Sequence, residues 1–504
     1  MSAWSRLVVV LCLACGAGAA FASDKAIDDV DEGTFSFGAM AIGQAKDLDY
    51  ARAEGLGVVP ASPLDAYLNG ILAKLLAQSP VKGVPAKVYV RASGDWAAKS
   101  TADANIYVAL GTLLRLDNED EIAALLGHEA SHVILGHANA DVVQSAQQRA
   151  IQLSALAAAA QSAAAGGKGG AKPAAAAHTQ DQSRALLLNT MLLSPAWSRE
   201  QERDADRLGT DLLVRAGYSP QAMASLLRKQ KTFETERAAD PQTATIDQQF
   251  GFDAGQKVQE QTAKATKNMG AGGDALGALA GAALGSALEW GSKKVQESSR
   301  SHPKTDERIT EIDTYVAEEY GGAAAPAFQV EAWEAAKEAD GTVDVLENYI
   351  AAIEAKGKLA GGDVAAARRL AKSGLNPPTR AHAYPNYVAA AVELSGGATA
   401  PALADYETAL AGPEPAGAIY SEASVLYLQA GKRDKAVEVI EAGYARLQEP
   451  PSLTVPLIRS YHQAGRQADA DRVAAQCALR WPTLQSVCGE AAKGNSPRPS
   501  PVAP

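Results

Sequence analysis

Two histidines four residues apart, with a glutamate after the first, constrain this chain more than any other feature: His128-Glu129-Ala130-Ser131-His132. They close a proline-free run from Glu119 that has helical spacing. On a helix, positions four apart lie on one face, so His128 and His132 can present two imidazoles to one metal ion. Glu129 follows the first imidazole, where its carboxylate can reach a water beside the metal. Neutral imidazoles hold zinc without quenching it and leave a position open for water, whose pKa falls to about 7. A carboxylate can then take the proton as the water attacks a peptide carbonyl.

A third donor stands in Ser198-Arg199-Glu200-Gln201-Glu202-Arg203-Asp204-Ala205-Asp206. Glu202 and Asp206 share a helix face, so Glu202 can complete the metal set. Asp206, one turn on, can hydrogen-bond a ligand imidazole and fix its tautomer. His137 falls five residues after His132, on a different helix face, and reads as structural or supporting rather than as a ligand.

Four segments in order carry a specific resemblance: His128-Glu129-x-x-His132; Glu202-x-x-Ala205-Asp206-x-x-Gly209; Ala216-Gly217-Tyr218-Ser219-Pro220; and Ser301-His302-Pro303 through Arg308. Together they resemble the zinc peptidases related to the CAAX prenyl proteases, over residues 60 to 315. That resemblance implies one zinc ion, Glu202 as third ligand and Glu129 as general base. It places His302 near the cleft, with three readings open: a donor to the developing oxyanion, a fourth metal ligand that keeps the enzyme latent, or a structural residue. The Gly/Ala-rich stretch 141–180 and the long insertion 236–300 depart from the compact members of that family.

Around these motifs, Ser62 to Gln78 has helical apolar spacing, with Ser62 as a candidate N-cap. Ala86–Arg91 and Asn105–Leu110 read as strands. The second can form the cleft edge, where an extended substrate would pair, or be an ordinary internal strand. Residues 141–180 read as a flexible loop. In the insertion, Gly273, Gly277, Gly281 and Gly285 recur every four residues, which predicts close helix packing, with membrane-surface or partner contact, or disorder, as the alternatives. The uncharged run there, Ala275 to Leu288, is shorter than the roughly 20 residues that span a bilayer.

The N-terminus carries Arg6, an apolar run from Leu7 to Ala14 and Ala20-Phe21-Ala22, which predicts a cleaved signal peptide over 1–22 and export to the periplasm. A lipidated Cys15 is the lesser alternative. Cys477 and Cys488 then remain, and an oxidising compartment favours a disulfide between them. The formal charge of −11 leaves no global basic footprint, so nucleic acid is not an expected partner.

Beyond residue 326, Tyr427-x-Gln429-Ala430-Gly431-Lys432 recurs as Tyr461-x-Gln463-Ala464-Gly465-Arg466, and Gly397 lies one period upstream. A 34-residue helical period with glycine between paired helices resembles tetratricopeptide repeats. Two units are clear, one is fair, and one or two more degenerate units can begin near Val330. Such stacks present a concave surface for peptides or partner proteins.

The expected fold is mainly α with a small β-sheet. A zincin-like α+β peptidase domain (23–325) precedes an α-helical repeat solenoid (326–494) and a Pro-rich, disordered tail (495–504). The expected activity is zinc-dependent endopeptidase action on protein or peptide substrates. Joined to repeats, such a peptidase resembles envelope enzymes of outer-membrane protein quality control, which implies docking on the outer-membrane assembly machinery. A repeat-based periplasmic chaperone or adaptor with latent or vestigial peptidase activity is the competing reading.

Overall fold

The computed structural model describes residues 25–38, 41–54, 57–139, 197–239, 305–322, 324–481 and 484–494. The signal peptide, the 141–180 stretch, most of the 236–300 insertion with its glycine series, His302 and the tail lie outside these residues. Chain order begins with β1 (Gly33–Thr34), α1 (Gln44–Glu54), α2 (Ser62–Leu76), β2 (Val81–Lys82), β3 (Lys87–Arg91), β4 (Ala98–Ser100) and β5 (Asn105–Ala109). The short α3 (Leu110–Leu113) leads to α4 (Glu119–Ile134), which carries the His-Glu-x-x-His motif. Then come α5 (Arg199–Arg215), α6 (Ala222–Ala239), α7 (Thr305–Tyr320) and α8 (Val330–Glu338).

The small sheet has the order β3-β5-β4, with β3 parallel and β4 antiparallel to β5. This decides between the two readings of the strand at Asn105. β5 is internal and every one of its residues is buried. The two edges are β3 and β4. Val58 and Val59 pair along the outer side of β3, which leaves β4 as the open edge, and its three residues are too short a run to show alternation in the sequence. Ser62 does not cap α2. Ala61 occupies that position and Pro63 supplies the preset φ of the first turn.

The remaining helices form four antiparallel hairpins among the described residues. These are α9 (Val343–Ala360) with α10 (Val364–Gly374), α11 (Ala383–Ser395) with α12 (Thr399–Ala411), α13 (Gly417–Gln429) with α14 (Arg433–Arg446), and α15 (Pro451–Gln463) with α16 (Gln467–Arg480). Every hairpin turns on a left-handed glycine: Gly362, Gly397, Gly431 and Gly465, with φ of 81°, 76°, 72° and 80°. In each, the next amide closes back onto the helix, as in Lys432 N to Tyr427 O (2.8 Å) and Arg466 N to Tyr461 O (2.8 Å). The unit at Gly362 lies where the sequence offers one or two degenerate units, but its first helix starts at Val343 rather than near Val330. By contrast α8, near Val330, packs on the peptidase side. Its Trp333 is buried, stacks on Tyr67 and donates Nε1–H to Leu116 O. A final helix, α17 (Gln485–Ala492), is joined to α16 by the Cys477–Cys488 disulfide.

The two halves share one continuous apolar core. α1 is the joint between them. Its Asp47 accepts from Tyr107 Oη (2.7 Å) and Asn105 Nδ2 (2.7 Å) of β5. On the other side, Arg52 forks onto Glu414, and the main chain at Ala53 lies against Gly417, where a Cβ would meet the Ala53 carbonyl at 2.2 Å.

Candidate metal centre

The helix that carries His128 and His132 is fixed first by its N-terminus. Asn118 caps α4 by accepting from Glu121 N (2.9 Å). Asp120 accepts from Ser219 N (2.8 Å) and Gln329 N (2.7 Å), and Glu119 accepts from Tyr67 Oη and Tyr218 Oη. The Ala216-to-Pro220 segment therefore anchors the start of α4. Carboxylates there also suit the positive end of the helix dipole.

α5 enters through a capping box between Ser198 and Gln201. It crosses α4 with main chain against main chain. A Cβ on Gly209 would lie 3.0 Å from His128 N, and one on Gly127 would lie 3.2 Å from Gly209 O. Glycine at both positions lets the helices approach closely enough for Glu202 to reach the two imidazoles.

The three donors then converge. His128 Nε2 lies 3.2 Å from His132 Nε2, and each is 3.7 Å from an oxygen of Glu202. All three ligating atoms lie within 4.8 Å of one another and all three residues are buried. Each imidazole also has a contact at its other nitrogen. His128 Nδ1 lies 2.9 Å from Asp206 Oδ1, and His132 Nδ1 lies 2.7 Å from His137 Nδ1. The fivefold spacing of His132 and His137 misleads because the helix ends at Ile134 and Gly136 turns left-handed (φ 66°). His137 is carried back onto the ligand it follows. Burial lowers its pKa to about 4, and His128 pushes in the same direction.

Arg308 of α7 closes the cluster from outside. Its Nε and Nη2 donate to Asp206 at 2.8 and 2.7 Å, and Nη1 lies 3.0 Å from Glu202 Oε2. Burial alone would raise the Asp206 carboxyl. The Arg308 charge and hydrogen bonds, with those of His128, override it and bring Asp206 down to about 2. Glu129 is also buried, and burial raises its carboxyl above the usual range, with Glu202 adding to the effect. Ser100 of the edge strand β4 faces Glu129 and acts in the opposite direction, as does His128.

The residues fit a metal ion. Two donors bound at about 2.1 Å in tetrahedral geometry stand about 3.4 Å apart, close to the 3.2 and 3.7 Å separations here. Asp206, held ionised, can only accept, so the His128 proton sits on Nδ1 and its Nε2 lone pair faces the cluster. Burying such lone pairs against a carboxylate is unfavourable without a cation between them. Glu129 Oε2 is buried with no hydrogen-bond partner among the described residues, which leaves it for a molecule at the centre.

The profile of Peptidase family M48 matches residues 64–316, half of the 504-residue chain. The chain belongs to that family. Among curated relatives of this M48 chain, the beta-barrel assembly-enhancing protease of Escherichia coli (strain K12) is 26% identical over 211 residues, 41% of this chain and 42% of the relative. Metalloprotease LoiP of the same organism is 31% identical over 157 residues, 31% of this chain and 56% of the relative. The beta-barrel assembly-enhancing protease of Yersinia pestis is 27% identical over 166 residues. The chain spans about two fifths of the length of the first of these relatives.

Of the residues singled out in sequence, the M48 core brings together His128, Glu129, His132, Glu202 and Asp206, whereas His302 lies outside the described residues. Three contributors went unread. Arg308 stood inside a recognised segment, yet its partners are 102 and 106 residues away. Ser100 lies on a strand too short to register. Trp197 stacks on the His132 ring at 4.6 Å between centroids, and a lone tryptophan before a helix carries no sequence signal for that contact.

Proposed function

We propose that this chain is an exported zinc-dependent endopeptidase that cuts unfolded or misassembled proteins of the bacterial envelope. One observation carries the reading. Three buried donors converge within 4.8 Å, and Glu129, on the same helix, keeps a buried carboxylate oxygen without a partner among the described residues.

In this reading His128, His132 and Glu202 hold the metal. Zinc, when bound, supplies a Lewis acid that polarises the scissile carbonyl and acidifies a water molecule. Glu129 takes a proton from the attacking water and passes it to the leaving amine. Its raised carboxyl pKa suits both halves of that exchange. Asp206 orients His128, and Arg308 keeps Asp206 ionised and Glu202 in place. Among the described residues β4 pairs only with β5, so an extended substrate can add to its outer edge, beside Ser100 and Glu129. Such addition would present the peptide carbonyl to the centre.

Three readings are open to His302, and His302→Ala separates them, unchanged activity assigning the structural one. A rise in activity assigns latency, and a collapse assigns support of the oxyanion. The helical hairpins dock substrate or the outer-membrane assembly machinery. The name of the beta-barrel assembly-enhancing relatives supports that assignment, and the signal-like residues 1–22 support a periplasmic location. No helix among the described residues is long and apolar enough to cross a membrane.

The test is digestion of unfolded casein by the purified chain beside Glu129→Gln, with zinc assayed in both. Zinc in both and internal cuts by the parent alone would support the endopeptidase. Zinc in both with Glu129→Gln cutting equally would remove Glu129 as the base. Cuts confined to chain termini would replace endopeptidase with exopeptidase.

A further inference from the structure

We infer that His137 is the positioning residue for His132: its Nδ1 lone pair accepts the His132 Nδ1 proton and so aims His132 Nε2 at the metal. The inference rests on the zinc reading above and adds a residue to it. Two ring nitrogens 2.7 Å apart cannot both carry protons or both be bare. His132 Nε2 faces His128 Nε2 and Glu202, so a His132 that binds metal through Nε2 carries its proton on Nδ1. His137 must then be the acceptor, with its own proton on Nε2.

The partner of a ligand imidazole is commonly a carboxylate or a backbone carbonyl. Here His128 has the carboxylate, Asp206, and His132 has a neutral ring. Charge explains the difference. Among the described residues, Glu202, Asp206 and Glu129 already place three buried carboxylates around one buried guanidinium, Arg308. A fourth carboxylate at position 137 would add buried negative charge, whereas an imidazole supplies an acceptor and none. The fold also holds this pair away from water. His137 is buried, and Trp197 covers both rings, at 4.6 Å from His132 and 5.9 Å from His137 between centroids. Gly136 sets the approach, because its left-handed φ of 66° is what returns position 137 to the helix end.

The test measures zinc affinity of the full chain by competition with a chromophoric chelator, in the parent, His137→Leu and His137→Asn. Asparagine Oδ1 stands one bond beyond Cγ, where histidine has Nδ1, so His137→Asn keeps an acceptor in place. His137→Leu should weaken zinc binding about 10- to 100-fold, and His137→Asn should stay within a few-fold of the parent. Equal affinity in parent and His137→Leu, or equal losses in both variants, overturns the role and leaves the peptidase reading standing. A parent chain that takes up no zinc removes both. Nitrogen-15 NMR of the histidines in the zinc-loaded parent decides the matter even if the leucine variant folds poorly, since the chain has only 7 histidines. The expected signature is a proton on His132 Nδ1 coupled across the hydrogen bond to His137 Nδ1. A proton on His137 Nδ1 instead refutes it.

Discussion

Replacing Arg308 with methionine removes the one buried cation that faces Glu202 and Asp206 from α7. Arg308 is 6% exposed, Glu202 2% and Asp206 3%, so water cannot take over its place. Its three contacts run from 2.7 to 3.0 Å. Charge-assisted bonds of this kind contribute about 1.5–3 kcal/mol each, but burying the guanidinium offsets much of their sum. Breaking a buried ion pair from one side costs about 3–5 kcal/mol. For a cooperative unit of 150–250 residues that corresponds to a fall in Tm of about 6–20 °C. The assay is thermal unfolding of the chelator-treated chain for the parent, Arg308→Met, Asp206→Asn and the double variant. The double variant should lose clearly less than the sum of the singles, because the two residues share one interaction. The acid limb gives a signed check. Asp206 titrates at about 2 in the fold against 3.8 ordinarily. Its contribution is therefore present above about pH 4 and is lost as pH falls toward 2. In Arg308→Met the depressing charge is gone, so the stability curves of parent and variant should converge over that window. A Tm loss below about 2 °C, additive singles or parallel acid limbs would refute the assignment of Arg308 as the clamp.

Two further perturbations test the scaffold. Gly209→Val inserts a branched side chain where a Cβ already meets His128 N at 3.0 Å; overpacking should cost about 1–3 kcal/mol in thermal unfolding and weaken zinc binding by calorimetry, while unchanged affinity would show that the crossing of α4 and α5 does not set the donor spacing. Asp211→Leu leaves Ile27 N, Tyr315 Oη and Tyr320 Oη without the carboxylate they share at 2.6–2.9 Å; a loss of about 2–4 kcal/mol in urea unfolding is expected, and a loss below 0.5 kcal/mol would show that this network contributes little.

How much of this was legible in the sequence follows the range of each interaction. The 34-residue glycine spacing was legible because each hairpin turn is closed by hydrogen bonds within a few residues of its glycine. The turn at Gly362 was legible only as part of a degenerate unit near Val330, because it shares the glycine but, like Gly397, lacks the Tyr-x-Gln-Ala-Gly pattern of Gly431 and Gly465. The α4 motif was legible for the same reason of locality: a helix alone puts His128 and His132 on one face. The family's segments pointed to Glu202 and Asp206 as well.

Residues and helix periodicity thus determined by themselves which side chains could meet. Tertiary structure decided how they meet. The Gly127–Gly209 crossing sets the distance between the imidazoles and Glu202. The sheet order buries β5, and the pairing of Val58 and Val59 along β3 leaves β4 as the open edge. A left-handed Gly136 returns His137 to His132, and Arg308 closes on Asp206 from a helix about a hundred residues away. Each depends on two chain segments arriving together, and no local pattern encodes an encounter between segments that far apart.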